Sequence, residues 1–457
     1  MRLDGFAGSV RAWTERSKHP LLTVFAIGLI ARLIIMAFAL IFDSNYWAII
    51  IRNINAGGGL YDIEGYYYTP VCGYILGLVN GLSNAFLDIG EMGVKVPEIA
   101  LFEQSPNHTI SIVTSVVFNY CSKAPLILFD LVASLVAGRL AKELTGDRFR
   151  SIAAFSLVWL SLTVMGSSGI IGMPDSIGAA FMVLSLFFLL HKKYLLMGMC
   201  FAIAATTKLF PVFLFLPMVF YFFASERGTE KAVPHFLIAA AGGLGILAAI
   251  FLPQLMTGDI SECFRFITDR TGFSTGSKAT SVTSQIEGFT RVICYGAVVV
   301  ATLFVGLWVY KGDEKDLKER LFTGSFICMT LCMLYPPAPQ YVVSLIPLLA
   351  IQIAAKDRRF LVPWIIIWIS SAIIFASTTP TNLLPLSLAT GWPSLEWISD
   401  MFAFLDSSGG KYLNLVYVLG FVVQYIGIAS IAIIYIRDRL GTRKASPGDA
   451  ASEDTVI

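Results

Sequence analysis

Residues Leu21–Phe42 read LLTVFAIGLIARLIIMAFALIF, a run in which Arg32 is the only charged position. A helix needs about 20 mostly apolar residues to cross a bilayer, so this stretch predicts a membrane-spanning helix. The run is too long for a cleaved signal peptide, and no small-residue cleavage site follows it. Eleven further stretches have the same character: Pro125–Leu140, Ile152–Met165, Ile177–Leu190, Tyr194–Thr207, Phe210–Phe223, Pro234–Pro253, Val292–Tyr310, Phe322–Tyr335, Tyr341–Ala355, Leu361–Ser377 and Leu413–Ile436. Several are short, which predicts tight helical hairpins. Tyr66–Leu87 is apolar but rich in Gly, Pro and Asn. It reads as a membrane-embedded or re-entrant segment, tolerated where protein or a wet cavity covers its backbone. The expected fold is an all-α integral membrane bundle of about twelve helices, within a range of roughly ten to thirteen.

Composition agrees. Of 457 residues, 56% are hydrophobic and 14% charged, against about 25% charged in soluble domains. This excludes a disordered chain and a nucleic-acid binder with a broad basic field. Seven cysteines with no paired spacing do not read as a disulfide framework. Together with His108, His191 and His235 they form no metal-ligand pattern. No Walker loop and no Asp-x-Asp nucleotide-sugar motif occurs, so neither a metal, a cofactor nor a nucleotide donor is expected.

Charge position predicts orientation. With the N-terminus inside, segments 1–19, 139–150, 191–193, 226–231, 311–320, 356–359 and 437–444 hold 23 of the 33 basic residues, as the positive-inside rule requires. The chain then reads as one transmembrane domain, 1–436, in a cell membrane. A polar, disordered cytoplasmic tail, 437–457, would follow. Three long segments, 43–110, 257–288 and 378–410, fall on the extracytoplasmic side, which marks that face as the working surface. No internal repeat is visible, and the long first loop has no counterpart in the second half, unlike a repeat-built transporter.

Charges inside so apolar a chain need reasons. Arg32 lies near the centre of the first run, where a charge costs about 2.5–3.5 kcal/mol on insertion scales. Asp130 lies mid-span in another run, and an Arg32–Asp130 pair would neutralise both. Asp43 follows eleven residues after Arg32, about 16 Å along the same face of a continuous helix. The loop then reads FDSNYWAIIIRNINAGGGLYDIEGYYYTPVCGYILG from Phe42 to Gly77. It offers Tyr46, Trp47, the triplet Gly57-Gly58-Gly59, Tyr61-Asp62 and Tyr66-Tyr67-Tyr68-Thr69-Pro70. Interfacial aromatics alone are commonplace. The order and spacing of the whole string are specific.

That string resembles the first external loop of GT-C membrane glycosyltransferases that use polyprenyl-phosphate sugars. It is most similar to the prokaryotic polyprenol-phosphate-mannose-dependent mannosyltransferases and to the first mannosyltransferase of GPI-anchor synthesis. Asp43, Leu60-Tyr61 and Tyr68-Thr69-Pro70 match the family's acidic residue, Leu-Tyr and Tyr-Thr-Pro landmarks. Thr207-Lys208-Leu209-Phe210-Pro211 resembles its Lys-x-x-Pro element. Pro339-Gln340-Tyr341 with Ile346-Pro347-Leu348 resembles its late Gln-Tyr and Leu-Pro element. The landmarks run in order over residues 20–355. Two departures leave the acceptor open: Asp43-Ser44-Asn45 lacks the second carboxylate of the GPI enzyme, and Ile89–Ser111 is longer than its counterpart.

The resemblance implies transfer of a sugar, mannose first, from a polyprenyl-phosphate donor to a lipid-linked or cell-envelope glycan acceptor, with inversion. Such chemistry needs a base for the acceptor hydroxyl, and Asp43 at the membrane rim is the candidate. The leaving phosphate needs a cation. Lys208 is the first candidate, with Arg265 and Arg270 in the second long loop behind it. A snorkelling lysine is the plainer reading of Lys208. Asp175, in Gly172-Met173-Pro174-Asp175-Ser176, would orient substrate hydroxyls or simply cap the next helix. Tyr46, Trp47, Tyr61, Tyr68, Gln340 and Tyr341 complete the expected substrate contacts. A secondary transporter or lipid-linked-sugar flippase is the alternative, and a non-catalytic subunit of a glycan-assembly complex a weaker one. Asn107-His108-Thr109 fits a glycosylation acceptor, a triplet that arises easily by chance.

Overall fold

The structure is a computed structural model and describes residues 11–39, 41–62, 66, 68–86, 93–100, 109–228, 230–265, 282–334, 339–407 and 411–444. The helices are α1 (Pro20–Ile35), α2 (Ile41–Asn55), α3 (Pro70–Phe86), α4 (Val116–Thr145), α5 (Arg148–Trp159), α6 (Leu162–Gly166), α7 (Asp175–Leu190), α8 (Tyr194–Thr207), α9 (Phe215–Ser225), α10 (Ala232–Thr257), α11 (Val282–Tyr310), α12 (Leu317–Met333), α13 (Ile346–Ala355), α14 (Leu361–Ser377), α15 (Thr379–Thr390), α16 (Glu396–Ser407) and α17 (Lys411–Lys444). Among the described residues, six helical stretches are long and apolar enough to cross a membrane: Val116–Thr145, Arg148–Ile171, Ala232–Thr257, Ile293–Tyr310, Arg358–Ser377 and Asn414–Arg437. Six shorter apolar helices of 10–17 residues accompany them. The chain is a helical membrane protein.

The exterior explains the composition. On α1, Pro20, Val24, Gly28 and Arg32 recur every fourth residue and face inward. Leu22, Ile30 and Ile34 face outward and are exposed. On α17, Leu415, Val418, Leu419, Val422, Ile426, Ile433 and Ile436 are likewise exposed. Water would penalise such a surface, whereas lipid tails accept it. Lipid also removes the hydrophobic drive between helices, so close packing and polar contacts must hold them together. Small residues do this here. A Cβ on Gly198 of α8 would sit 1.9 Å from the Ala239 carbonyl oxygen of α10, and one on Gly242 would sit 2.4 Å from the Leu195 carbonyl oxygen. Gly420 and Gly427 let α17 approach Ile374 and Ile367 of α14 in the same way.

Four expectations change. The first run is not one helix: α1 ends at Ile35, and a second helix starts at Ile41. Asp43 therefore belongs to the first turn of α2, and the helical alignment of Arg32 with Asp43 does not apply. The 43–110 segment is not an open loop. It folds as α2, α3 and an antiparallel hairpin, β1 (Gly93–Ala100) with β2 (Thr109–Thr114), so the fold is not purely α. The hairpin pairs Lys95 with Ile112 and Ile99 with Ile110, with an irregularity between, where Pro97 cannot donate to the ladder. The third segment, 378–410, is mostly helical, as α15 and α16. Residues 437–444 continue α17, so the expected tail begins inside a helix, and 445–457 lie outside the described residues. The segment Tyr66–Leu87 is largely the helix α3.

These segments gather at one end of the bundle. Trp47, Ala48, Ile50, Ile51, Leu60, Tyr66, Cys72 and Leu76 form a small core of their own, closed by Phe118 of α4 and Met173. The α15 helix packs against α2 and both hairpin strands.

Candidate active site

The break between α1 and α2 sets the position of the first candidate residue, Asp43. Residues 36–42 read MAFALIF, without Pro or Gly, so local propensity favours a continuous helix. The side chains of α4 override it. Tyr120 donates its hydroxyl to the Leu33 carbonyl at 2.5 Å, and Asn119 Nδ2 donates to Ala37 O at 3.0 Å. Lys123 Nζ donates to Met36 O at 3.3 Å and to Phe38 O. Ala39 N–H reaches the Asn382 carbonyl of α15 at 3.3 Å. The carbonyls freed by the break thus find donors, as they must in a medium without water.

The second residue is set by a tight reversal. A π-helical turn, Ser167–Ile171, ends at Gly172 with φ +77°, a conformation only glycine adopts without strain. Met173 and Pro174 follow, and α7 opens at Asp175. Pro174 holds the N-cap position and no side chain caps the helix, so Asp175 is not the cap. It is the first helical residue, fully buried, in the favourable field of the helix start.

The third residue is Lys208, which caps the C-terminus of α8 in an extended conformation with φ −145°. Pro211 lies three residues on, inside the 3-10 turn Phe210–Leu214. Lys208 is not a lysine snorkelling to water: it is buried, with Nζ 3.4 Å from Asp175 Oδ2. Its ammonium sits 4.9 Å from the Tyr68 ring centre and 4.8 Å from that of Tyr341. Phe210 backs Tyr341 at 5.0 Å, and Trp47 backs Tyr68 at 5.4 Å. Tyr68 also donates its hydroxyl to Met173 Sδ at 3.2 Å.

Asp43 joins this group. It is half-buried, and its carboxyl is pushed up to about 7 from the ordinary 3.8, chiefly by burial. The positive charge of Lys208 pulls it down and the negative charge of Asp175 pushes it up. Tyr68, Asp175, Lys208 and Tyr341 form one cluster, and Asp43, from a fifth chain segment, lies within electrostatic reach of its charges.

Other expected residues stand behind it. Tyr61 donates its hydroxyl to the Tyr68 carbonyl at 2.9 Å and packs edge-on to Tyr66. Tyr66 donates to Thr69 O and accepts from Gly73 N–H, both at 2.9 Å. Thr69 Oγ1 donates to the Thr206 carbonyl, two residues before Lys208. Tyr46 packs against the loop core, and Gln340 is half-buried beside Tyr341. Arg265 is exposed and bonds Glu262 Oε2 at 3.2 Å. Arg270 lies outside the described residues, as do Asn107 and His108.

Arg32 and Asp130 form a separate buried network. Arg32 Nε lies 3.1 Å from Asp130 Oδ2, both side chains fully buried. Arg32 also donates to Trp159 O at 2.7 Å and lies 3.7 Å from the Trp159 ring centre. Ser168 and Ser176 donate to the two Asp130 oxygens at 2.6 and 2.5 Å. The network fixes the π turn and the residue after Asp175.

Sequence reasoning passed over Lys123, which lies two residues before the apolar run Pro125–Leu140 and stood out only as a basic residue off the cytoplasmic segments. The buried hydroxyls of Ser44 and Ser344, like Trp47 Nε1, have no hydrogen-bond partner within the protein among the described residues.

Comparison with known families bears on this cluster. Residues 116–337 match the sequence model of glycosyltransferase family 87. The match spans a little under half of the chain and includes Asp130, Asp175 and Lys208. It supports a membrane glycosyltransferase. Asp43, Tyr68 and Tyr341 lie outside the matched residues. No curated protein matches the chain.

Proposed function

We propose that this protein transfers a sugar, mannose first, from a polyprenyl-phosphate donor to a lipid-linked or cell-envelope glycan. The active site would be the cluster of Asp43, Asp175 and Lys208, at the extracytoplasmic end of the bundle, with both termini cytoplasmic as the basic residues favour. One observation carries the reading: a buried lysine framed by the rings of Tyr68 and Tyr341 pairs with a buried aspartate at the start of a helix, with the Asp43 carboxyl within the reach of both charges.

In the reaction, Asp43 takes the acceptor hydroxyl proton. The freed oxygen bonds to the anomeric carbon, and the bond from that carbon to phosphate oxygen breaks. Polyprenyl phosphate leaves with the electron pair, and the sugar carbon inverts. A base works best with a pKa near the working pH, which suits Asp43. Lys208 neutralises charge growing on the phosphate, while Asp175 holds the lysine in place before the donor arrives. Tyr68 and Tyr341 give a sugar ring faces to pack on. Arg265 and Arg270 remain secondary phosphate contacts.

The test is purified protein incubated with labelled polyprenyl-phosphate mannose and a membrane lipid extract. Label should move to a new lipid-soluble product and polyprenyl phosphate should be released. Transport of label across liposomes without release of polyprenyl phosphate would favour a flippase. Absence of transfer with this or any other polyprenyl-phosphate sugar would overturn the reading.

A further inference from the structure

A lysine buried in an apolar helix is expensive unless something answers its charge. Lys123 is 1% exposed, and no carboxylate lies within ion-pair distance of it among the described residues. Its ammonium is spent on two backbone carbonyls, Met36 O and Phe38 O. Both belong to the break that redirects the chain from α1 into α2. Asn119 and Tyr120 stand one turn before it on the same face of α4 and take the carbonyls of Ala37 and Leu33. The three donors form a polar stripe that competes with the intrahelical hydrogen bonds of residues 33–38. Leu40 alone separates the clamped segment, which closes at Ala39, from the start of α2 at Ile41, and Asp43 is its third residue.

We infer that Lys123 is the positioning residue for Asp43: by holding the carbonyls of the α1–α2 break, it sets where α2 begins and so where the Asp43 carboxylate stands relative to the Lys208–Asp175 pair. The inference rests on the proposed role of Asp43. Lys123 touches no substrate. Without its ammonium the two carbonyls lose their donor, and MAFALIF rewinds toward the helix its composition favours. That turns Asp43 away from the cluster.

The test uses the full-length protein in detergent or nanodiscs and reads two quantities. The first is transfer activity. Lys123→Met should lower kcat by about 10²-fold, the scale of an ångström-level misplacement, with the KM for donor changed by less than about threefold. Lys123→Arg, which keeps a cationic donor, should recover most of the turnover. The second is the infrared carboxyl band of Asp43, identified by its loss in Asp43→Asn, titrated with pH. Among the described residues, the charged and titratable groups in electrostatic reach of Asp43 are Lys208, Asp175, Tyr68 and Tyr417, and none of them is altered. The midpoint should stand near 7 in the unmodified protein and in Lys123→Arg. It should fall toward 4 in Lys123→Met as water reaches the carboxyl. Folded Lys123→Met with unchanged kcat and unchanged midpoint overturns the inference. If Lys123→Met yields no folded protein, Asn119→Leu removes a neighbouring donor and carries the same expectation in both readouts. No change in either then overturns it. If Asp43→Asn keeps full activity, the base assignment fails, while the infrared midpoint still decides whether Lys123 positions the carboxyl.

Discussion

Asp130→Asn tests the network beneath the site. Asp130 and Arg32 are both fully buried, so the substitution leaves a guanidinium inside the bundle with no anion. Breaking a buried pair from one side costs about 3–5 kcal/mol, because the surviving charge is uncompensated. Three hydrogen bonds to Asp130, from Arg32, Ser168 and Ser176, weaken at once, which favours the upper half of that range. Replacing both partners by apolar residues, Arg32→Met with Asp130→Leu, removes the stranded charge. That double variant should be far closer to the original than Asp130→Asn. Equilibrium unfolding in mixed detergent–SDS micelles, followed by tryptophan fluorescence, measures both. A loss below about 1 kcal/mol in Asp130→Asn would refute the claim that the pair is sealed from water. A double variant no better than the single would refute the attribution to stranded charge. Because Ser176 adjoins Asp175, Asp130→Asn should also lower turnover under conditions where the variant remains folded.

Further outcomes follow from the same geometry. Asp43→Asn should lower transfer at least about 10²-fold while donor binding persists, and the unmodified enzyme's rate should rise with pH through about 7 as Asp43 ionises. The same shift predicts a stability effect. The folded protein holds a proton on Asp43 that the unfolded chain releases above about 4, so stability falls as pH rises from there through about 7 and then levels. Asp43→Asn should therefore be the more stable protein at pH 8, measured by thermal unfolding. Lys208→Met should weaken donor binding and, by removing the cation that lowers Asp43, move the acid limb of the rate profile to higher pH. That is the opposite direction to Lys123→Met. Gly198→Leu should prevent α8 from meeting α10, seen as loss of monodisperse protein, whereas Gly245→Ala, with open space around it, should be neutral or stabilising by up to about 1 kcal/mol.

The sequence signals that located helices and buried charges were those with a direct energetic cause. Apolar length located helices because a bilayer penalises unbonded backbone and buried charge wherever they occur. Lys208 stood out because a lysine beside a helix-breaking proline on the side poor in basic residues needs a reason, and Asp175 because a carboxylate opens an otherwise apolar run. Arg265 was the weaker candidate by the same logic, since a loop arginine can meet water or a neighbouring glutamate, as it does with Glu262. Lys123 was visible only as a basic residue off the cytoplasmic segments, and nothing nearby in sequence indicated what it holds. Its acceptors are carbonyls about 85 residues away, and every residue carries a carbonyl.

The chain alone therefore determined that this is a helical membrane protein and which few polar residues need an explanation, because hydropathy and charge act locally and can be read residue by residue. Only the tertiary structure decided where the first run breaks and which of those residues meet. MAFALIF has no helix breaker, and the donors that meet the backbone at its break, from Asn119, Tyr120 and Lys123 of α4, are far away in sequence. Asp43, Asp175 and Lys208 come from different chain segments: Asp43 stands in the first turn of α2 after that break, Asp175 opens α7 after the glycine reversal at Gly172, and Lys208 ends α8, where it pairs with Asp175.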